Sequence, residues 1–366
     1  MLPEIDRIVE LAAQRNASDI HIVCGLPVKC RIDGNIVDLL ENAVNSEQSE
    51  SFARFLLGDR FEKIANIGEI DIGYTFPCGV RTRVNVYRQG GKISIALRLF
   101  PNKIPQIDEL GLPECIYNIP KIKNGIVLVT GETGSGKSTT LASIINEINK
   151  TQNGHVITLE DPIEYLIDSD KCIITQREIG VDTVSYASGL RSILREDPDV
   201  IMVGEMRDLE TIETALTAAE TGHLVLATLH TNSAADMLDR IVGVFPEGAQ
   251  AQIRMQLSNT LYYVITQKLL PKKSGEGRVL ACEIMAVNSA IRNLIREGKT
   301  HQIESFLTLS KNEGSVSMDS ALLELTKKEL ISFELGMQYA KNKENFKYLF
   351  EASAPQSEKR SFLSKR

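Results

Sequence analysis

Apolar residues recur along this chain with two different periods, and the places where the period changes divide it. Within residues 3–15, Ile5, Ile8, Val9, Ala12 and Ala13 fall at helical intervals ahead of Asn16, so one amphipathic helix is expected to open the chain. The pattern then turns to that of strands. Residues 19–23 read as one strand, and 28–32 and 36–40 flank Asp33-Gly34-Asn35 as a hairpin. Strand signals return at 70–76, 81–87 and 93–100, with Gln89-Gly90-Gly91 turning the last pair. Residues 1–100 are therefore expected to form a small α+β domain.

Pro101, Pro105 and Pro113 follow, a spacing that disfavours both helix and central strand and suits a linker over 101–113. Beyond it the pattern becomes βα alternation. Strands are expected at 126–130, 155–160, 200–204 and 224–229, and helices at 137–149, 185–196, 209–221 and 234–243. Such alternation implies an α/β domain over 114–287, with a mainly parallel sheet and helices on both faces. From residue 288 the chain reads as short helices at 288–297, 301–309, 318–328 and 332–341, a helical region over 288–350. The polar tail 351–366 is expected to be disordered.

Composition narrows the class. A chain of 366 residues exceeds the size at which one core stops growing, and 43% apolar with 24% charged residues is ordinary for a soluble globular protein. The six cysteines are scattered without CxxC spacing, so neither a zinc ribbon nor a disulfide framework is indicated. No apolar run approaches the length of a membrane helix. Glu4, Asp6 and Glu10 break the order of a signal peptide, and a cytoplasmic location is expected. A net charge of −7 gives no global reason to bind nucleic acid.

Candidate chemistry concentrates at the expected strand ends. Gly131-Glu132-Thr133-Gly134-Ser135-Gly136-Lys137-Ser138 is a full GxxxxGK[ST] between an apolar strand and a helix, the context a phosphate-binding loop requires. Thr133, Gly134, Ser135, Gly136, Lys137, Ser138 and Thr139 are the expected nucleotide contacts. Lys137 is expected to reach the β- and γ-phosphates, and the Ser138 hydroxyl to ligate Mg²⁺. Glu205 stands just past the apolar run 200–203, at the edge where ligands of parallel sheets gather, and is the expected acid acting on Mg²⁺ and its waters. The strand 155–160 delivers Glu160 and Asp161 to the same edge, where a carboxylate could take a proton from water, although a turn-forming Asp161-Pro162 explains the pair equally well. Of His155, His223 and His230, only His230 is placed by this pattern at a carboxyl end beside the phosphates. Arg81 and Arg83 share one strand face with Arg98 on the partner strand. They are candidates either for surface ion pairs or for the cation that phosphoryl transfer needs.

Four ordered blocks, GETGSGKSTT at 131–140, ITLEDPIEY at 157–165, DPDVIMVGEMRD at 197–208 and TGHLVLATLHTNSA at 221–234, together resemble the Walker A, Asp box, Walker B and His box of the ATPases that drive type II secretion and type IV pili. The resemblance runs from Ala17-Ser18-Asp19-Ile20-His21 to Met318-Asp319. Ala290-Ile291-Arg292-Asn293-Leu294-Ile295-Arg296-Glu297-Gly298-Lys299 is similar to the C-terminal signature of the pilus-retraction members. The longer N-terminal region and four-cysteine zinc insert of extension and secretion members are missing. The resemblance implies a RecA-like P-loop NTPase core, a smaller N-terminal α+β (PAS-like) domain and a C-terminal helical subdomain. It further implies Mg²⁺ with ATP as substrate and no zinc, and a homo-hexamer moved by domain rotation. The implied partners are an inner-membrane pilus platform protein at the cytoplasmic face of that membrane and an accessory paralogous ATPase, with no nucleic acid. Glu160, Glu205, Lys137, His223, His230, Arg81, Arg83 and Arg98 are the active-site set it implies.

Pilus retraction is the expected function. Extension or type II secretion within the same family, a RecA-like nucleic-acid translocase, and a nucleotide-binding regulator without turnover are the competing readings.

Overall fold

The computed structural model describes residues 4–309 and 314–353. Of the tail 351–366 expected to be disordered, residues 351–353 instead end a helix, and those from 354 onward lie outside the described residues. Two compact units emerge, Met1–Ile104 with Glu160–Ile167, and Pro105–Leu159 with Asp168–Arg366.

In the first unit, α1 (Glu4–Gln14) is followed by β1 (Asp19–Val23), β2 (Pro27–Ile32) and β3 (Asn35–Ala43). Then come α2 (Ser46–Leu57), the short α3 (Ile64–Ile67), β4 (Glu69–Thr75), β5 (Arg81–Gln89) and β6 (Lys92–Leu99). The strands form one antiparallel sheet in the order β3-β2-β1-β6-β5-β4. α1 buries Ile5, Ile8, Val9 and Ala12 in the core, as their helical spacing dictates. The helix α2 went unread in the pattern. Its start is nevertheless written there as a capping box, with Asn45 and Gln48 each bonding the other's backbone N–H.

The second unit begins its sheet with β7 (Gly125–Thr130), followed by α4 (Lys137–Thr151), β8 (His155–Glu160), β9 (Ile173–Glu178), α5 (Tyr186–Ile193), β10 (Val200–Val203) and α6 (Leu209–Glu220). It continues with β11 (Leu224–Leu229), α7 (Ala234–Gly243), α8 (Glu247–Thr260), β12 (Leu261–Pro271) and β13 (Arg278–Ala286). Among the described residues it ends in α9 (Ser289–Arg296), α10 (Ile303–Leu309), α11 (Met318–Lys327), α12 (Phe333–Tyr339) and α13 (Lys343–Ser353). The sheet order is β13-β12-β7-β11-β10-β8-β9. β7, β11, β10 and β8 run parallel in the centre and are buried on both faces, which is why they read as unbroken apolar runs. β12 extends the parallel set, and β13 pairs antiparallel at the edge.

The pattern anticipated neither α8, β12 and β13 nor the edge strand β9. The helix expected over 185–196 ends at Ile193, after which Asp197 turns the chain with a left-handed φ of 55°. Among the described residues no helix is long and apolar enough to cross a membrane.

Candidate active site

The phosphate-loop sequence sits between the end of β7 and the start of α4. Gly131 has φ 146°, and a Cβ there would lie 2.5 Å from the Gln267 carbonyl oxygen and 2.6 Å from the Ser135 hydroxyl, so only glycine fits. Gly136 caps α4 in the left-handed region at φ 92°. The helix thus starts at Lys137 with the free N–H groups of its first turn at the loop, a concentration of positive potential suited to an anion. Inside this turn the buried Lys137 ammonium donates to the carbonyls of Gly131 at 2.8 Å and Glu132 at 2.9 Å.

Strand pairing brings the other groups alongside. β11 lies between β7 and β10, pairing Thr228 with Val129 and Ala227 with Val203. Glu205 follows β10 by two residues. Its backbone is pinned to β11 on both sides: the Thr228 hydroxyl donates to the Gly204 carbonyl, and the Met206 N–H donates to the Thr228 carbonyl at 3.1 Å. His230 follows β11 directly. The next residue, Thr231, is tied to β7, its N–H donating to the Thr130 hydroxyl at 2.9 Å while that hydroxyl donates to the Thr231 carbonyl at 2.7 Å.

These constraints join three side chains in a line. Lys137 Nζ lies 3.4 Å from His230 Nδ1, and His230 Nε2 lies 3.2 Å from Glu205 Oε1. An ammonium can only donate, so Nδ1 accepts and Nε2 carries the proton that faces the carboxylate; the neutral ε tautomer satisfies both contacts. The same Oε1 takes a bond from Arg207 Nε at 2.6 Å. Burial pushes the Glu205 carboxyl upward, but the hydrogen bond and charge of Arg207, with the hydrogen bond from His230, outweigh it and hold the group below the usual carboxylate range. Glu205 is therefore ionised at neutral pH. Both donors crowd Oε1, leaving Oε2 for a ligand.

Arg207 was not singled out in the sequence, although it stands within the DPDVIMVGEMRD block. Replacing it with alanine removes the largest influence lowering the Glu205 pKa while burial persists. Glu205 then protonates at higher pH, so the acid limb of the ATP-hydrolysis pH profile is expected to move to higher pH with turnover at pH 8 nearly unchanged. Measuring kcat/KM across pH 4–9 checks this, and an unmoved limb removes Arg207 from the site.

The remaining expected residues are placed as follows. Glu160 is buried at the end of β8, one residue past Leu159, which pairs with Val203. His223 is not brought to the Lys137 cluster. It precedes β11, at the opposite end from His230, with Nδ1 on the Ala218 carbonyl at 3.0 Å, a helix–strand corner contact. Strand rise alone separates the two rings by roughly 20 Å. His155 is likewise satisfied structurally, by the Glu196 carbonyl and the Thr175 hydroxyl.

Arg81, Arg83 and Arg98 lie in the first unit. Arg81 Nε donates to the Ile163 carbonyl at 3.0 Å, Arg83 pairs with Asp71 at 3.4 Å, and Arg98 pairs with Asp19 at 3.1 Å. Arg83 and Arg98 stand directly opposite each other across β5 and β6, a like-charge pairing that Asp71 and Asp19 offset. Arg292 of the signature-like segment is a structural surprise: its guanidinium donates to the Asn259 carbonyl at 2.9 Å and to that of Ser258, capping the end of α8.

The family model for type II/IV secretion system proteins matches residues 1–329. The chain is 44% identical to the type IV pilus retraction ATPase PilT of Pseudomonas aeruginosa, over 94% of this chain and 100% of the relative. It is 44% identical to a twitching motility protein of Neisseria gonorrhoeae, over 87% of this chain and 85% of the relative. A crystal structure of the pilus retraction motor PilT with bound ADP superposes with a TM-score of 0.86 at 45% identity, covering 93% of this chain and 98% of that one.

Proposed function

The chain belongs to the type II/IV secretion system protein family, and on that premise we propose that it is the ATPase that powers type IV pilus retraction and twitching motility. The observation that carries the chemistry is the line from Lys137 through His230 to Glu205 beside a phosphate loop that only glycine can form. Retraction, rather than extension or secretion, is favoured by alignment over 94% of this chain with the whole length of the Pseudomonas retraction ATPase. ATP is the substrate and its β–γ phosphoanhydride bond is broken by water.

In this reading the amides of residues 133–139 and the Lys137 ammonium hold the β- and γ-phosphates, the ammonium exchanging its loop carbonyls for phosphate oxygens. Mg²⁺, when bound with ATP, neutralises phosphate charge. The donors suit it: Ser138 is exposed at the second position of α4, Glu205 presents an ionised oxygen, and both offer the hard oxygen ligands this ion prefers, supplemented by water and phosphate. His230, donating to Glu205, keeps the carboxylate oriented. It also ties that orientation to Lys137, so that the site registers the terminal phosphate. Glu160 is assigned to proton transfer from the attacking water, and His223 is left a structural role. Arg81, Arg83 and Arg98 are assigned to a neighbouring subunit's nucleotide, for whose phosphates Arg83 and Arg98 would exchange Asp71 and Asp19.

The working form is a homo-hexamer on the cytoplasmic face of the inner membrane, acting through a platform protein on pilin, with an accessory paralogous ATPase as companion. Deleting the gene is expected to leave surface pili in place and abolish twitching. Electron microscopy and a stab-plate assay decide it, and loss of pili would instead assign an extension role. Turnover is expected to be the same with and without single- or double-stranded DNA, and strong stimulation would point to a translocase.

A further inference from the structure

The loop that carries His230 rests on a row of buried polar side chains that no phosphate-loop chemistry requires. β7 pairs Thr130 with Thr266 of β12, and β12 pairs Thr266 with Glu283 of β13. Residues paired in this way point to one face of the sheet. All three are buried, Glu283 at 1% exposure. Thr231 N–H donates to Thr130 at one end of the row, and Ala234 N–H donates to Glu283 Oε1 at 3.3 Å at the other. Residues 231–234 are therefore slung between two anchors, and Ala234 is also the first residue of α7. The hydroxyl of Thr266, between the anchors, has no hydrogen-bond partner among the described residues.

The two anchors are unequal. Thr130 is neutral and its bond is short, whereas the bond to Glu283 is longer but is made to a carboxylate, which suits the positive start of α7. Its other oxygen, Oε2, takes the N–H of Met318, the first residue of α11, at 3.4 Å and the ammonium of Lys341 at 3.3 Å. Lys341 is itself fixed through its backbone N–H, which donates to Asp319 at 2.8 Å. A single buried carboxylate thus ties the His230 loop to the C-terminal helices. We propose that Glu283 is a positioning residue for ATP hydrolysis: it holds the start of α7, and through residues 231–234 keeps His230 in contact with Lys137 and Glu205. The His230 contacts, at 3.2 and 3.4 Å, are long enough that a small displacement breaks them.

This inference rests on the hydrolytic reading of the site, and the test separates the two. Full-length protein carrying Glu283→Gln, Lys341→Met, Lys341→Arg or Thr266→Val is compared with the unaltered chain by nucleotide-free amide hydrogen exchange and by steady-state ATP hydrolysis. Glu283→Gln is expected to speed exchange across 231–236 by about tenfold, the scale of a lost charge-assisted bond. It is also expected to lower kcat by about 10- to 100-fold, as small misplacements near a reacting centre do, with the KM for ATP unchanged within about twofold. Lys341→Met moves both readouts in the same direction by less, and Lys341→Arg restores them. Thr266→Val, in the same row but without a partner to lose, changes neither.

Unchanged exchange in Glu283→Gln overturns the proposal, as does faster exchange with unaltered kcat. So does an equal effect from Thr266→Val, which would make the row a matter of general sheet stability. If Glu283→Gln does not fold, Lys341→Met, at a partly exposed position, reads the same two quantities. An unaltered chain that does not hydrolyse ATP would sink the hydrolytic reading, while exchange across 231–236 would still decide whether Glu283 anchors the loop.

Discussion

Glu205→Gln is expected to keep nucleotide binding and lose hydrolysis by at least about 10², equivalent to about 2.7 kcal/mol of barrier. The substitution preserves size and an acceptor oxygen for His230 and Arg207, so the line of contacts can persist. Only the charge disappears. Neutralising a group whose side chain is 16% exposed relieves its burial, and Arg207, 71% exposed, remains solvated, so neither fold nor binding should suffer. What is lost is the ionised oxygen opposite the metal and its waters. Fluorescent-nucleotide titration and single-turnover hydrolysis, measured side by side, read the two quantities separately. Hydrolysis within about threefold of the unaltered protein would be too small a loss for a positioned proton-transfer or metal-binding group, and would remove Glu205 from the chemistry.

Lys137→Ala is the larger lesion, because it acts on binding and on the transition state together. The Lys137 ammonium is buried, points into the turn formed by Gly131 and Glu132, and touches His230. Without it, terminal-phosphate charge meets only backbone dipoles, and His230 loses its donor on Nδ1. The expected fall in kcat/KM is at least about 10³, the upper end of the cost of removing one transition-state donor, with weaker ATP binding contributing. Circular dichroism should be unchanged, since Glu132 is exposed and its carbonyl can turn to water. Retention of a tenth of the activity would mean that phosphate is held elsewhere. The contrast matters: Glu205→Gln should trap bound nucleotide, whereas Lys137→Ala should fail to accumulate it.

Much of the catalytic unit was legible because its signals are local. Residues 126–130, 155–160, 200–204 and 224–229 read as strands because the central parallel strands are covered on both faces and have no polar face to show. The phosphate loop was legible because its backbone conformation admits only certain residues, as Gly131 illustrates. β12 escaped for the opposite reason. It follows α8 without a glycine or proline between Thr260 and Leu261, and α8 buries only a thin stripe, Ile253 and Leu257 among its apolar residues, so neither period stands out. Glu283 lies in the apolar stretch of β13, where nothing local marks the distant groups it binds.

The sequence by itself determined the chemistry carried by contiguous residues: the anion-binding turn, the acid two residues past β10, the histidine directly after β11, and the helix and strand periods that set them at one sheet edge. Tertiary structure alone decided which of these groups meet. Strand order laid β11 between β7 and β10, and so joined His230 to both Lys137 and Glu205 while leaving His223 at the far end of the same strand. It also brought Glu283 beneath a loop 49 residues earlier in the chain and passed Glu160–Ile167 to the first unit. The physical reason is one of range. Backbone sterics and side-chain period act over a few residues, whereas strand pairing and buried charge satisfaction are fixed by partners that only the folded chain brings within bonding distance.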